Sequence, residues 1–162
     1  MTNRIDYTDD EWARLRRAPF VAGMAISLAD PGGPIEMSKE TLATLRATST
    51  PPSQDELLIS VSQEILSMVN QKQNPVADFK PESATMAGKK VLDELSAANR
   101  ILDAKATPEE AEAFRRWLLD VAKAAADAAK EGGFMGFGAV EVSEGEQRMM
   151  DELAAALGEG QT

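Results

Sequence analysis

The run TPEEAEAFRRWLLDVAKAAADAAK, residues 107–130, decides the fold class. It opens on Thr107-Pro-Glu-Glu110, a capping box. The Thr107 hydroxyl can accept the amide hydrogen of Glu110, whose carboxylate can reach back to the Thr107 amide. Pro108 falls at the first helical position, where a missing N–H costs nothing. Phe114, Trp117, Leu118, Val121 and Ala125 then share one face at helical spacing, the mark of a helix with a buried side. The second half is alanine-rich, and such small side chains let another helix approach to about 8 Å between axes.

The same grammar extends outward from this run. Thr8-Asp-Asp-Glu11, Ser53-Gln-Asp-Glu56 and Ser143-Glu-Gly-Glu146 are further capping boxes. They predict a chain of seven helices. The first spans about Thr8 to Arg17, with Trp12 and Leu15 inward, and Pro19 opens a second to Ala29. That second helix carries Phe20, Val21, Met24, Ile26 and Leu28 and is apolar almost all round, so it is expected at the centre. The third spans Ser38 to Ala47, ended by the Ser49-Thr-Pro-Pro-Ser53 turn. The fourth, Ser53 to Gln71, has a stripe at Leu58, Val61, Ile65 and Met68. The fifth, Pro81 to Ala104, presents Val91, Leu95, Ala98 and Leu102. The sixth is Thr107 to Lys130, with a Glu112–Arg116 pair in the favourable order. The seventh, Ser143 to Leu157, buries Met150, Leu153 and Leu157. No run alternates as a half-buried strand does. The expectation is one all-α domain over 1–162, with short flexible ends at 1–7 and 158–162.

Composition narrows the function. The chain has 162 residues, no cysteine and no histidine, and a formal net charge of −10. Without those two residue types there is no disulfide, no thiol nucleophile, no histidine general base and no Cys/His zinc site. The negative surface repels phosphate backbones and anionic lipid, which argues against nucleic acid and membrane surfaces as partners. Arg4, Arg14, Arg16 and Arg17 form the one basic concentration, expected to be a solvated helix face. The first residues lack a signal-peptide core, and the uncharged run from Ala18 to Ala29 is too short to span a bilayer. A cytoplasmic location follows as the expectation.

Two places repeat a pattern. An acid and two glycines, Asp30-Pro-Gly-Gly33 and Glu131-Gly-Gly133, precede Ile35-Glu36-Met37-Ser38 and Val140-Glu141-Val142-Ser143. The glycines end one helix and the serine is placed to cap the next. The apolar–Glu–apolar triplets are expected to pair in a short antiparallel ladder.

This repeated unit resembles the tellurite-resistance TerB-like family: an Ala-rich helix, an acid-Gly loop, then a Val or Ile step into a Ser-capped, Glu-bearing helix. Here the residues are Ala125 to Gly132, then Val142-Ser143 and Glu146, with Ala25 to Ser38 as the second copy. The loops differ from the family's tight Ala-Asp-Gly turn. The resemblance implies a seven-helix fold, a non-enzymatic and stress-linked role, a protein partner, and acidic side chains that hold divalent cations. On that reading Asp30, Glu36, Glu131, Glu141 and Glu146 are candidate ligands for Ca2+ or Mg2+, ions that require several converging oxygens. The opposing expectation makes Glu36 and Glu141 solvated and Glu146 a capping partner.

The segment Gly132-Gly-Phe-Met-Gly-Phe-Gly138 follows a helix and has no basic residue, so it does not match a phosphate loop. Phe134, Met135 and Phe137 are candidate partner-binding residues, with core packing of the two rings as the alternative. Met68, Met86, Met135, Met149 and Met150 are expected to fill the core rather than an adaptable groove. An enzymatic reading would need carboxylate and lysine chemistry, such as Glu36 with Lys39, and no motif marks that pair. The reading is a helical interaction or scaffold protein, with a divalent-cation module as the alternative.

Overall fold

Helices account for all the regular structure in the computed structural model, which describes residues 1–29, 34–80, 84–130 and 143–158. Among the described residues there are six α-helices, a short 3-10 turn at Arg4–Asp6, and no strand. In chain order they are α1 (Asp9–Ala29), α2 (Pro34–Thr48), α3 (Glu56–Asn70), α4 (Ala84–Lys105), α5 (Pro108–Lys130) and α6 (Glu144–Ala156).

The expected first and second helices are one. α1 runs through Pro19, although an internal proline removes a backbone hydrogen bond and costs about 3 kcal/mol. Packing offsets that cost, because Trp12 and Leu15 before the proline and Val21, Ala22, Ala25 and Ile26 after it are all buried in the same core. Burying a Leu or Ile side chain contributes roughly 1.5–3 kcal/mol, so two such residues suffice. α1 is the central helix, packed against the other five.

Three of the four capping boxes form. The carboxylates of Glu11, Glu110 and Glu146 each accept the amide of the cap residue three positions back, and their own amides donate to that residue's hydroxyl oxygen. The box at Ser53 does not form. The Ser53 hydroxyl turns to the Asp55 carboxylate instead, and Asp55 becomes the residue that precedes α3, without a side-chain cap of its own.

The stripes expected on α3, α4 and α5 are buried: Leu58, Val61 and Ile65; Val91, Leu95, Ala98 and Leu102; Phe114, Trp117, Leu118, Val121 and Ala125. Leu153 and Leu157 close the core from the α6 end, while Met68, Met149 and Met150 are half-buried. Met86 departs from expectation and is exposed, because α4 turns Ala87 and Val91 inward instead. Gly145 allows α6 to start against the end of α1: a side-chain carbon there would lie 2.9 Å from the Ala29 carbonyl oxygen.

The arginines of α1 are not a solvated face. Arg14 and Arg17 both donate to the buried carboxylate of Glu94 on α4, at 2.6 and 2.7 Å, and Arg16 donates to Glu64 on α3 at 2.9 Å. They fix the three helices in register. The first residues are tied down as well. The Thr2 amide and hydroxyl donate to Glu110 at 2.7 and 3.0 Å, and Tyr7 is buried against Trp12.

α2 differs most from expectation. It begins at Pro34 rather than Ser38, with the proline in its first turn, where the fixed φ and absent N–H are tolerated. Ile35 and Met37 are therefore helical, which overturns the proposed ladder, and Ser38 sits inside the helix rather than capping it. Val140 and Val142 lie outside the described residues.

Candidate functional site

α2 packs between α1 and α5 with an unusual division of its faces. Its buried side chains are Glu40, Thr44 and Thr48, spaced four apart and all polar. Among its described side chains none belongs to the buried apolar core, and of these only Ala47 packs partly against it. Meanwhile Ile35 is 69% exposed and Leu42 48%. An ordinary surface helix does the reverse.

Particular contacts hold the polar face. The Ser27 hydroxyl of α1 donates to Glu40. The Thr48 carbonyl accepts from the Ser62 hydroxyl of α3 at 3.3 Å, and the Ala47 carbonyl accepts the Trp117 indole N–H at 3.1 Å. Thr44 lies directly over Gly23 of α1, where a side-chain carbon would come within 2.3 Å of the threonine hydroxyl oxygen. Glycine is what lets these two helices touch. One group is left over: the buried Thr48 hydroxyl has no hydrogen-bond partner among the described residues.

The outward side of α2 forms one wall of an open groove of about 550 Å3, with the C-terminal half of α5 as the other. Leu42, Ala43 and Ala47 line it from α2, and Ala124 and Ala128 from α5. Lys39 and Arg46, one turn either side of Leu42, supply two cations, and Asp127 supplies one carboxylate. Asp127 is bridged at 2.8 Å to Lys123, one turn earlier. That hydrogen bond, with the carboxylate's charge, raises the Lys123 ammonium above the ordinary lysine value. The groove is therefore lined by alanines and Leu42, with charged side chains among them.

The sequence places a helix here, at Ser38 to Ala47, but no motif marks either of its faces as a site. The available signal was the polar row Glu40, Thr44 and Thr48 on one face, with Ile35, Lys39, Leu42 and Arg46 on another.

The candidate cation ligands fare differently. Asp30, Glu131 and Glu141 lie outside the described residues, as does the side chain of Glu36. Glu146 is described, and it is buried with its carboxylate accepting the Ser143 amide at 2.9 Å, so it serves as a capping partner. Among the described residues no group of three acids is placed to hold a metal ion. Phe134, Met135 and Phe137 also lie outside the described residues.

Carboxylates with perturbed acidity mark clamps in this fold. For Glu110, burial pushes the pKa up, but the Thr107 amide and the Thr2 amide and hydroxyl outweigh it and hold the carboxyl below the usual range. Glu11 is lowered mainly by the hydrogen bond from Lys105, then by the Thr8 amide. Both close capping boxes and lie apart from the groove.

No protein-family model matches the chain, and neither a curated protein nor a solved structure is significantly similar to it. The TerB-like resemblance rests on the quoted motifs alone. No helix among the described residues is long and apolar enough to cross a membrane.

Proposed function

We propose that this protein is a non-catalytic helical interaction module that docks a protein partner on the outer face of α2. One observation carries the reading: α2 buries Glu40, Thr44 and Thr48 and leaves Ile35 and Leu42 in water. Leaving each of those two side chains exposed forgoes on the order of 1 kcal/mol of burial free energy. A partner that covers them recovers it, and exposed apolar surface beside a groove is the usual sign of such a site. The absence of histidine and cysteine, and the employment of the perturbed carboxylates as caps, support a role without catalysis. The TerB-like motifs point the same way.

The test is photo-crosslinking in the native cell from a benzoylphenylalanine placed at Leu42, with Glu112 on the exposed face of α5 as the control position. A discrete adduct from position 42 that is absent from 112 supports docking on α2. Adduct patterns that are blank or identical at the two positions remove it.

A further inference from the structure

We infer that α2 is a displaceable lid: it undocks from α1 and α5 as one unit while the other five helices stay folded, and its opening frees the indole N–H of Trp117. The inference concerns the inner face of α2 and does not rest on the docking reading above. A helix is held to its neighbours mainly by the apolar face it buries. α2 buries Glu40, Thr44 and Thr48 instead, and of its described side chains only Ala47 packs partly against the apolar core. Ile35, Met37 and Leu42 are exposed already, so undocking costs them nothing.

The polar groups favour opening as well. Hydrogen bonds from Ser27 to Glu40, from Ser62 to the Thr48 carbonyl and from Trp117 to the Ala47 carbonyl tie α2 down. Water replaces each of them on opening, so their net hold is small. Two costs of the docked state are relieved at the same moment. The Thr48 hydroxyl, buried without a partner among the described residues, gains one. The Glu40 carboxylate, 2% exposed when docked, regains its hydration. The rest of the core does not depend on α2. The helices α1, α4 and α5 pack directly on one another, with Leu15, Ile26, Leu95, Leu102, Leu118 and Val121 buried in one cluster that includes no α2 residue. Prolines bound the unit at both ends, Pro34 at its start and Pro51-Pro52 just after it, so the helix does not run on into its neighbours.

The experiment is native-state amide hydrogen exchange of the full chain, resolved by residue, at urea concentrations below the unfolding transition. The amides of Ala43 to Ala47 should exchange together, on one urea-dependent line. They should be protected about a hundredfold or more, yet at least about tenfold less than the slowest amides of α4 and α5. Thr48→Val deletes the unpartnered hydroxyl and should slow exchange in α2 about fivefold, while Ser27→Ala deletes the partner of Glu40 and should speed it by about as much. Amides of α2 as slow as the slowest of α4 and α5 would mean that the helix leaves only when the whole chain unfolds, and would overturn the inference. Amides that exchange one by one, without dependence on urea, would also overturn it, because fraying is not the motion of a unit. So would exchange that neither substitution changes, since the polar inner face would then not set the opening.

Discussion

Replacing Gly23 with alanine should destabilise this protein, although the position lies in the interior of a helix. On propensity alone the change favours the folded state, since glycine in a helix interior costs about 1 kcal/mol relative to alanine. Thr44 of α2 reverses the sign. The added methyl would lie 2.3 Å from the Thr44 hydroxyl oxygen, 2.7 Å from its γ-methyl and 3.1 Å from its β-carbon. Comfortable contact requires roughly 3.5 Å, so about 1 Å of movement is needed. Rotating the threonine does not supply it. Two of its three staggered positions are crowded and two of its three substituents are heavy atoms, so every rotamer leaves at least one heavy atom in the way. The helices must separate, and overpacking of this kind costs about 1–3 kcal/mol. The net expectation is a loss of about 1 kcal/mol, read as a drop in melting temperature of roughly 2–4 °C for a chain of this size. Thr44→Ala removes both γ atoms, so a double-mutant cycle in urea should show a favourable coupling of about 1–2 kcal/mol between Gly23→Ala and Thr44→Ala. A Gly23→Ala variant more stable than wild type, with no coupling to position 44, would refute the close packing of α2 on α1.

Two further changes probe the buried polar groups. Thr48→Val keeps the shape and deletes a hydroxyl that has no partner among the described residues, so thermal denaturation should show a gain of about 1 kcal/mol; a loss would mean the hydroxyl is satisfied. Glu110 has a folded-state pKa below its unfolded value, so on acidification the unfolded chain takes up the proton first. Its contribution is therefore complete above the usual glutamate value of about 4.3 and is lost as pH falls through the depressed folded value. Glu110→Gln should lower stability at neutral pH by about 1.5–3 kcal/mol and flatten its decline between about pH 5 and 3. An unchanged acid profile would contradict the clamp.

The sequence was most informative where pattern and packing agree. On α4 and α5 the helical stripe, the caps and the core all point the same way, and those faces could be read residue by residue. Pro19 reads as a boundary because the proline penalty is local, whereas the burial that offsets it depends on residues far away in sequence. Ser53 has the pattern of a cap but does not act as one, because Asp55 competes for its hydroxyl. α2 was the least legible. No motif in it marks the inward face, which is set by the tight approach of Thr44 to Gly23 and by the Ser27 partner of Glu40. Neither contact is visible without the relative placement of two helices. The groove inherits that difficulty, since Lys39, Leu42 and Arg46 form one surface only once the inward face of α2 is known.

The orientation of α2 is the central claim, and the chain offers a clean way to measure it because it contains no cysteine. Single cysteines at Ile35, Leu42, Thr44 and Thr48 can be timed for alkylation under native conditions, with each rate set against that of the unfolded variant. That orientation predicts that positions 35 and 42 react within about threefold of the unfolded rate, while 44 and 48 are slowed by about a hundredfold or more, as burial in a stable core requires. Fast labelling at 44 and 48 with protection at 35 and 42 would contradict it, and would place the apolar face of α2 inside the protein.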